Sequence, residues 1–504
     1  MPSVKRNIIA NYLGSAWSAL MGLAFVPLYI RYLGIEAYAL IGVFMLLQAW
    51  LSVLDMGLTP MLSREMARLT AGGHTPQSIR DLLRSVEWVY VAIAIAIAVG
   101  IALAAPWLAA DWLRAEHLPV TTVAQALTIT GGVIALRWLG GLYRGGIIGL
   151  QRQVWLNGCT AVFATLRGAG AVLVLAWISP TIQAFFVYQG VVIALEALVL
   201  ALHMRRLLPA SPQPVRFNWQ ALHQVRHFAG GMAAITLLAI LLTQVDKLLL
   251  SRLLPLSAFG YYTLASSVAG ALYLMIMPIR NATYPRLTEL VVRGDRIALA
   301  EAYHKFSQLL TLMIVPAALV LSLFSEHILL LWTRDVATTR AVAPLVSFLV
   351  IGSMLNGLMH TPYTLQLAHG WTRLTVVTNG IAVLVLVPSI YIGVSAYGAL
   401  AAAIIWIVLN AGYVALAVPA MHRKLLPAEM GRWYGQDVFG PAFAAFAAVA
   451  LVRISTPAPV YEKPMESALA VLIAATLAQV SGILATPLGR DQLNRYFRPI
   501  VQWR

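Results

Sequence analysis

The chain has 504 residues, 60% of them hydrophobic and 11% charged, with a mean hydropathy of +0.79. Soluble domains carry roughly a quarter charged residues, so this composition excludes a soluble globular protein and describes a chain that crosses a bilayer many times. The formal net charge of +16 is accounted for by basic loops facing anionic lipid, and no nucleic-acid partner is expected.

A helix needs roughly 20 apolar residues to cross the hydrocarbon layer. The first two such stretches, near 8–30 and 37–57, flank a short hinge at Arg31-Tyr32-Leu33-Gly34. The first is too long for a signal-peptide core and has no small-residue cleavage site, so it reads as a helix. The segment Thr59–Ser85 reads as a basic loop with Arg64, Arg68, Arg80 and Arg84, opened by a Thr-Pro break. Further spans fall near 86–106, 121–149, 154–178, 182–203, 228–251, 258–278, 306–325, 341–367, 374–393, 397–420, 438–453 and 467–487, fourteen in all. Arg205–His227, with Pro209, Pro212 and Pro214, is the longest polar gap near mid-chain. Arg280–Lys305 is mixed in charge and reads as an interfacial helix, and Arg432-Trp433-Tyr434 as an interfacial anchor before the thirteenth span. The sole cysteine, Cys159, lies inside an apolar span, so neither a disulfide nor a thiol metal site is expected.

Alternate loops hold about 24 Lys and Arg on one side. The other side holds about 7: Arg31, Arg114, Arg252, Arg334, Arg340, Arg453 and Lys463. Positive charge marks the cytoplasmic side, and an even span count puts both termini there. The tail, with Arg490, Arg495, Arg498 and Arg504, agrees.

An internal repeat emerges at an offset of 221. Leu28, Arg31, Leu33 and Ala37 match Leu249, Arg252, Leu254 and Ala258, and Tyr38 faces Phe259. Gly149 and Arg152 match Gly370 and Arg373, and Asn157-Gly158 matches Asn379-Gly380 one insertion later. Six spans per copy give both copies the same orientation, a parallel repeat. The expected fold is an all-α polytopic membrane protein: two six-helix lobes around a central cavity, plus two extra C-terminal helices. The lobes would be residues 1–208 (spans 1–6) and 209–425 (spans 7–12), with 426–504 holding spans 13–14 and a cytoplasmic tail.

Ionisable residues inside spans are costly and face a cavity or a partner. Arg137 and Arg144 are seven residues apart, nearly two turns, and so share one helix face. Beside them runs Gly141-x-x-x-Gly145-x-x-x-Gly149, a seam for close helix packing. Arg167 lies mid-span, Glu196 and Asp55 are the acidic groups of the first lobe, and the five sum to +1. Guanidinium holds phosphate bidentately and stays charged, which points to a cationic cavity for an anionic head group. The alternative is internal pairing, such as Arg167 with Glu196 or Arg144 with Asp55. For Asp55 structural pairing or capping is the favoured role. Asp246 and Lys247 point about 100° apart and do not simply pair with each other. Asp246 is a candidate proton or sodium site, or an anchor for a basic residue. His360, one turn from Asn356 and ahead of a break at Pro362, is a candidate coupling residue or a packing partner. Pro27, Pro316 and Pro388 are candidate kinks.

The runs Pro27-Leu-Tyr-Ile-Arg-Tyr-Leu-Gly34, Asp55-Met-Gly57, Ser63-Arg64-Glu65, Asp246-Lys247-Leu-Leu-Leu-Ser-Arg252 and Phe259-Gly-Tyr-Tyr262 resemble the bacterial oligosaccharide (O-antigen type) flippases. These form part of the multidrug/oligosaccharidyl-lipid/polysaccharide exporter superfamily. The resemblance covers the whole chain in length, span count and lobe division. It implies movement of undecaprenyl-pyrophosphate-linked repeat units from the cytoplasmic to the periplasmic leaflet of the inner membrane, by alternating access, for surface polysaccharide synthesis. It implies membrane lipids and a polymerase of the same pathway as neighbours. It implies no cofactor beyond a coupling proton or sodium ion. Arg137, Arg144 and Arg167 become candidates for pyrophosphate or an acidic sugar. Asp246, Lys247, Glu196, Asp55 and His360 become candidates for ion coupling or gating. The alternatives are a peptidoglycan-precursor flippase, or a multidrug exporter of the same superfamily, for which an acidic cavity is expected. A membrane glycan polymerase or glycosyltransferase would need paired carboxylates or a sizeable periplasmic loop, whereas no two Asp residues here lie within three positions of each other and the periplasmic loops read as short.

Overall fold

The computed structural model describes residues 4–55, 57–70, 72–211, 213–219, 240–457, 459 and 463–491. These are helical almost throughout, with one isolated parallel bridge between Arg114 and Pro255. Among the described residues thirteen helices are long and apolar enough to cross a membrane, and each coincides with a predicted span. The remaining span, 228–251, is described only from residue 240, and Arg495, Arg498 and Arg504 of the tail lie outside the described residues. The protein is an all-α polytopic membrane protein.

By contact density the chain divides into two compact units, Met1–Gly260 and Tyr261–Arg504. The first contains α1 (Ile9–Leu33), α2 (Ile35–Asp55), α3 (Leu58–Thr70), α4 (Pro76–Trp112), α5 (Val120–Gly149), α6 (Gln153–Trp177), α7 (Ile182–Leu207) and α8 (residues 240–253). The boundary falls inside α9 (Leu256–Gly270). The second unit continues with α10 (Tyr273–Arg293), α11 (Arg296–Leu323), α12 (Ser325–Thr333), α13 (Val336–Ala368), α14 (Arg373–Tyr397), α15 (Ala399–Leu425), α16 (Pro427–Ser455) and α17 (Pro464–Ala485). The helix breaks follow the sequence repeat: α2 starts at Ile35 and α9 at Leu256, 221 residues on.

Several breaks differ from the sequence expectation, each for a local reason. The hinge at Arg31–Gly34 shrinks to one residue, because α1 runs to Leu33 and Gly34 turns the chain at φ 79°. That left-handed conformation suits a residue without a side chain. Helix α1 is interrupted at Phe25, and Pro27 then sits in the first turn after the break, where no N–H is needed. Pro316 and Pro388 lie within unbroken helices. Thr59–Ser85 is not a loop: Thr59 and Pro60 open α3, and α4 starts at Pro76. Thr75 caps α4, its hydroxyl accepting from the Ser78 amide at 3.1 Å. The break near Pro362 falls at Met359, next to Leu358, whose carbonyl the proline ring would meet. Trp433 is fully buried inside α16 rather than at an interface.

The polar gap after α7 is laid along α4. Arg80 donates to the Pro209 carbonyl at 2.6 Å, Asp81 accepts from the Arg216 amide at 2.8 Å, and Ser85 accepts from the Asn218 amide at 2.7 Å.

The glycine seam of α5 receives α3. A Cβ at Gly145 would stand 2.6 Å from the Thr59 methyl, and one at Gly149 would stand 2.2 Å from the Ser63 carbonyl. Gly141 meets nothing within 4 Å and lines a cavity instead. A backbone carbonyl cannot swing away, so Gly149→Ala is expected to destabilise the protein by about 1–3 kcal/mol. Gly141→Ala is expected to leave stability unchanged. Thermal unfolding of the two purified variants in detergent checks this, and equal melting temperatures would refute it.

In the second unit α11 is central and packs against α13, α16 and α17. Its core includes Tyr303, Phe324 and Trp433.

Candidate functional site

Helices α1 to α7 enclose a cavity of about 720 Å³ within the first unit. Arg137 and Arg144 of α5, Arg167 of α6, Glu196 of α7 and Asp55 of α2 all line it. The structure thus gathers five of the sequence candidates in one place.

Their pairing is specific. Glu196 is buried and gives one oxygen to each of two guanidiniums. Its Oε1 accepts from Arg144 Nη2 at 2.6 Å, and its Oε2 is bonded to Arg167 Nη1. Arg144 also donates from Nη1 to the Thr160 hydroxyl at 2.9 Å. Arg137 lies exposed on the cavity wall and enters no ion pair with a carboxylate among the described residues. Arg144 therefore pairs with Glu196 and not with Asp55.

Asp55 is committed to the chain turn. It accepts from the Thr59 hydroxyl at 2.7 Å, from the Thr59 amide at 3.3 Å and from the Tyr90 hydroxyl. It caps α3, satisfying an amide that has no partner within the helix. Tyr90 in turn stacks on Trp138, with ring centroids 5.2 Å apart.

Arg167 is placed by a device that spacing does not reveal. Residues Leu166–Gly170 form a π-helical turn within α6. Such turns loosen the backbone ladder and free carbonyls, often at functional sites. Three neighbours take those carbonyls: the Tyr188 hydroxyl donates to Leu166 O at 2.8 Å, Gln189 Nε2 to Arg167 O at 3.1 Å, and the Tyr29 hydroxyl to Gly168 O at 3.1 Å. Gly168 lets the Phe25 ring approach closely. The Leu-Arg-Gly-Ala-Gly composition was the available signal, since two glycines in an apolar span weaken a regular helix.

The other candidates lie elsewhere. Asp246 and Lys247 are half-buried on α8, and Lys247 donates to Gln244 at 3.3 Å. Neither is part of the cavity lining among the described residues. His360 belongs to the second unit. It lines a smaller cavity of about 180 Å³ with Asn356, Gln366, Asn379 and Tyr413, and its ring meets Tyr273 edge-on at 6.4 Å.

Sequence families match this chain as well. A family model described as polysaccharide biosynthesis protein matches residues 4–291, more than half of the chain. The chain belongs to that family. A second model, MatE, matches residues 232–392. A Shigella flexneri protein named "Putative O-antigen transporter" is 22% identical over 419 residues, covering 80% of this chain and 94% of its own. Among solved structures, the inward closed conformation of Lipid II flippase MurJ matches with a TM-score of 0.71 at 12% identity, covering 99% of this chain and all of that one. An inward-facing multidrug resistance MATE family transporter of the MOP superfamily matches with a TM-score of 0.62 at 14% identity, covering 81% of this chain and 96% of that one. At these identities the structural matches establish the fold. The family model and the thirteen membrane-length helices among the described residues make it a multi-pass membrane protein of a polysaccharide biosynthesis family.

Proposed function

We propose that this protein moves a lipid-linked oligosaccharide from the cytoplasmic to the periplasmic leaflet of the bacterial inner membrane, supplying surface polysaccharide synthesis. The observation that carries the reading is the cavity of the first unit, where three guanidiniums outnumber two carboxylates inside a bundle of membrane helices. In this reading Arg137, Arg144 and Arg167 hold the pyrophosphate or an acidic sugar of the head group. Guanidinium offsets the cost of taking phosphate out of water, while a polyprenyl tail can remain in lipid. The cavity opens alternately to the two sides of the membrane, with a proton or sodium ion as driving partner. Asp246, Lys247 and His360 are the coupling candidates outside the cavity.

The loop charges support cytoplasmic termini. The sequence repeat supports lobes at 1–208 and 209–425, with 426–504 as an addition. A multidrug exporter for cations would want an acidic cavity, and the excess of arginine here argues against it.

The test is made in cells lacking this protein. Lipid extracts are expected to contain a complete polyprenyl-pyrophosphate oligosaccharide held in the cytoplasmic leaflet and cleared by the restored gene. Build-up of the unpolymerised unit in the periplasmic leaflet would refute the reading and favour a polymerase. Build-up of a peptidoglycan precursor would change the substrate.

A further inference from the structure

We infer that Glu196 is a specificity-determining residue: it acts as a resident counter-anion that admits diphosphate head groups and turns away singly charged ones. This rests on the flippase reading of the same cavity and names which anion the arginines accept. The cavity already contains an anion of its own, the buried Glu196 carboxylate. It sits between Arg144, at 2.6 Å, and Arg167, with one oxygen on each. Arg137 is the guanidinium left over, seven residues from Arg144 on the same face of α5.

An incoming carboxylate, such as that of an acidic sugar, brings two oxygens and one charge. Glu196 already supplies as much to Arg144 and Arg167. Exchange would gain nothing and would leave Glu196 buried without a partner, which is strongly unfavourable. Such a ligand is confined to Arg137. A diphosphate brings at least two charges and enough terminal oxygens for three guanidiniums. It can engage Arg137 and also compete for Arg144 and Arg167, offsetting the displaced carboxylate. The other acidic group of the cavity, Asp55, is held by Thr59 and Tyr90 and does not enter this exchange.

The experiment uses the purified full-length protein in lipid nanodiscs. Binding is measured for three probes: a polyprenyl diphosphate, a polyprenyl monophosphate and an alkyl glucuronide with a single carboxylate. In the wild type the diphosphate is expected to bind tightest and the glucuronide at least about tenfold more weakly, a difference of about 1.4 kcal/mol. Glu196→Gln, which removes the charge at nearly constant shape, is expected to tighten glucuronide binding about tenfold and to narrow the ratio. Glu196→Asp keeps the charge and is expected to keep the wild-type order. Equal binding of glucuronide and diphosphate by the wild type would overturn the inference with no variant needed. So would an unchanged ratio in a folded Glu196→Gln protein. If the wild type binds none of the three, the flippase reading of the cavity fails as well. If it binds the diphosphate but ignores the Glu196 substitutions, only the role of Glu196 fails.

Discussion

Replacing Arg137 and Arg144 together by alanine is expected to abolish transport while leaving the protein inserted and folded. Each guanidinium lost from a charged hydrogen bond is worth roughly 1.5–3 kcal/mol. Two losses sum to about 3 kcal/mol or more, which lowers affinity for an anionic head group more than about 100-fold. The fold should survive because Glu196 keeps Arg167 as a partner, so no buried carboxylate is stranded. Arg31, exposed at the end of α1 and absent from the described cavity lining, is the control. Arg31→Ala removes the same charge from the chain and is expected to transport normally. The measurement is the leaflet distribution of the lipid-linked unit in cells carrying each variant. A double variant that still clears the cytoplasmic leaflet at the wild-type rate would remove the cavity from the mechanism.

The helices and the shared face of Arg137 and Arg144 were legible in the sequence because both depend on local repeats. Twenty apolar residues announce a span, and a spacing of seven announces a face. The glycine seam was legible for the same reason, although only Gly145 and Gly149 meet α3, while Gly141 faces the cavity. What spacing cannot give is the partner chosen across helices. Arg144 had two carboxylates to choose from, and its bond to Glu196, 52 residues away, is decided by how α5, α6 and α7 pack. The helix breaks show a related limit. Proline marks where a helix is strained, but the chain bends ahead of the ring, so Phe25 and Met359 break while Pro27 and Pro362 begin the next segment. The segment Thr59–Thr70 looked like a loop because it is charged. It is helical because its apolar positions meet a neighbour: Met61, Leu62 and Met66 are buried in α3.

The second large effect belongs to the other unit and was hidden from sequence reading by a separation of 133 residues. Asp437 of α16 and His304 of α11 are both fully buried. Asp437 Oδ2 meets His304 Nδ1 at 2.5 Å, and its Oδ1 accepts from Gln308 at 2.8 Å. The other ring nitrogen, Nε2, faces Glu429 at 2.8 Å, and Gln308 accepts from the Leu488 amide at 2.9 Å. The cluster ties α11 to α16 and to the segment just after α17, in the part of the chain that the sequence repeat does not cover. Asp437→Ala would leave His304 Nδ1 and Gln308 Nε2 buried without these partners, and each buried polar group so left costs about 1–3 kcal/mol. Glu429 is about a quarter exposed, so water can replace it, and Glu429→Ala is expected to cost less than about 1 kcal/mol. Thermal unfolding of the purified variants at one scan rate should therefore separate them widely, with Asp437→Ala far below both Glu429→Ala and the wild type. Because the cluster shares no residue with the arginine cavity, any Asp437→Ala protein that remains folded is expected to bind the diphosphate probe normally. Coincident melting curves for the two alanine variants would mean that burial at Asp437 does not set the strength of this attachment.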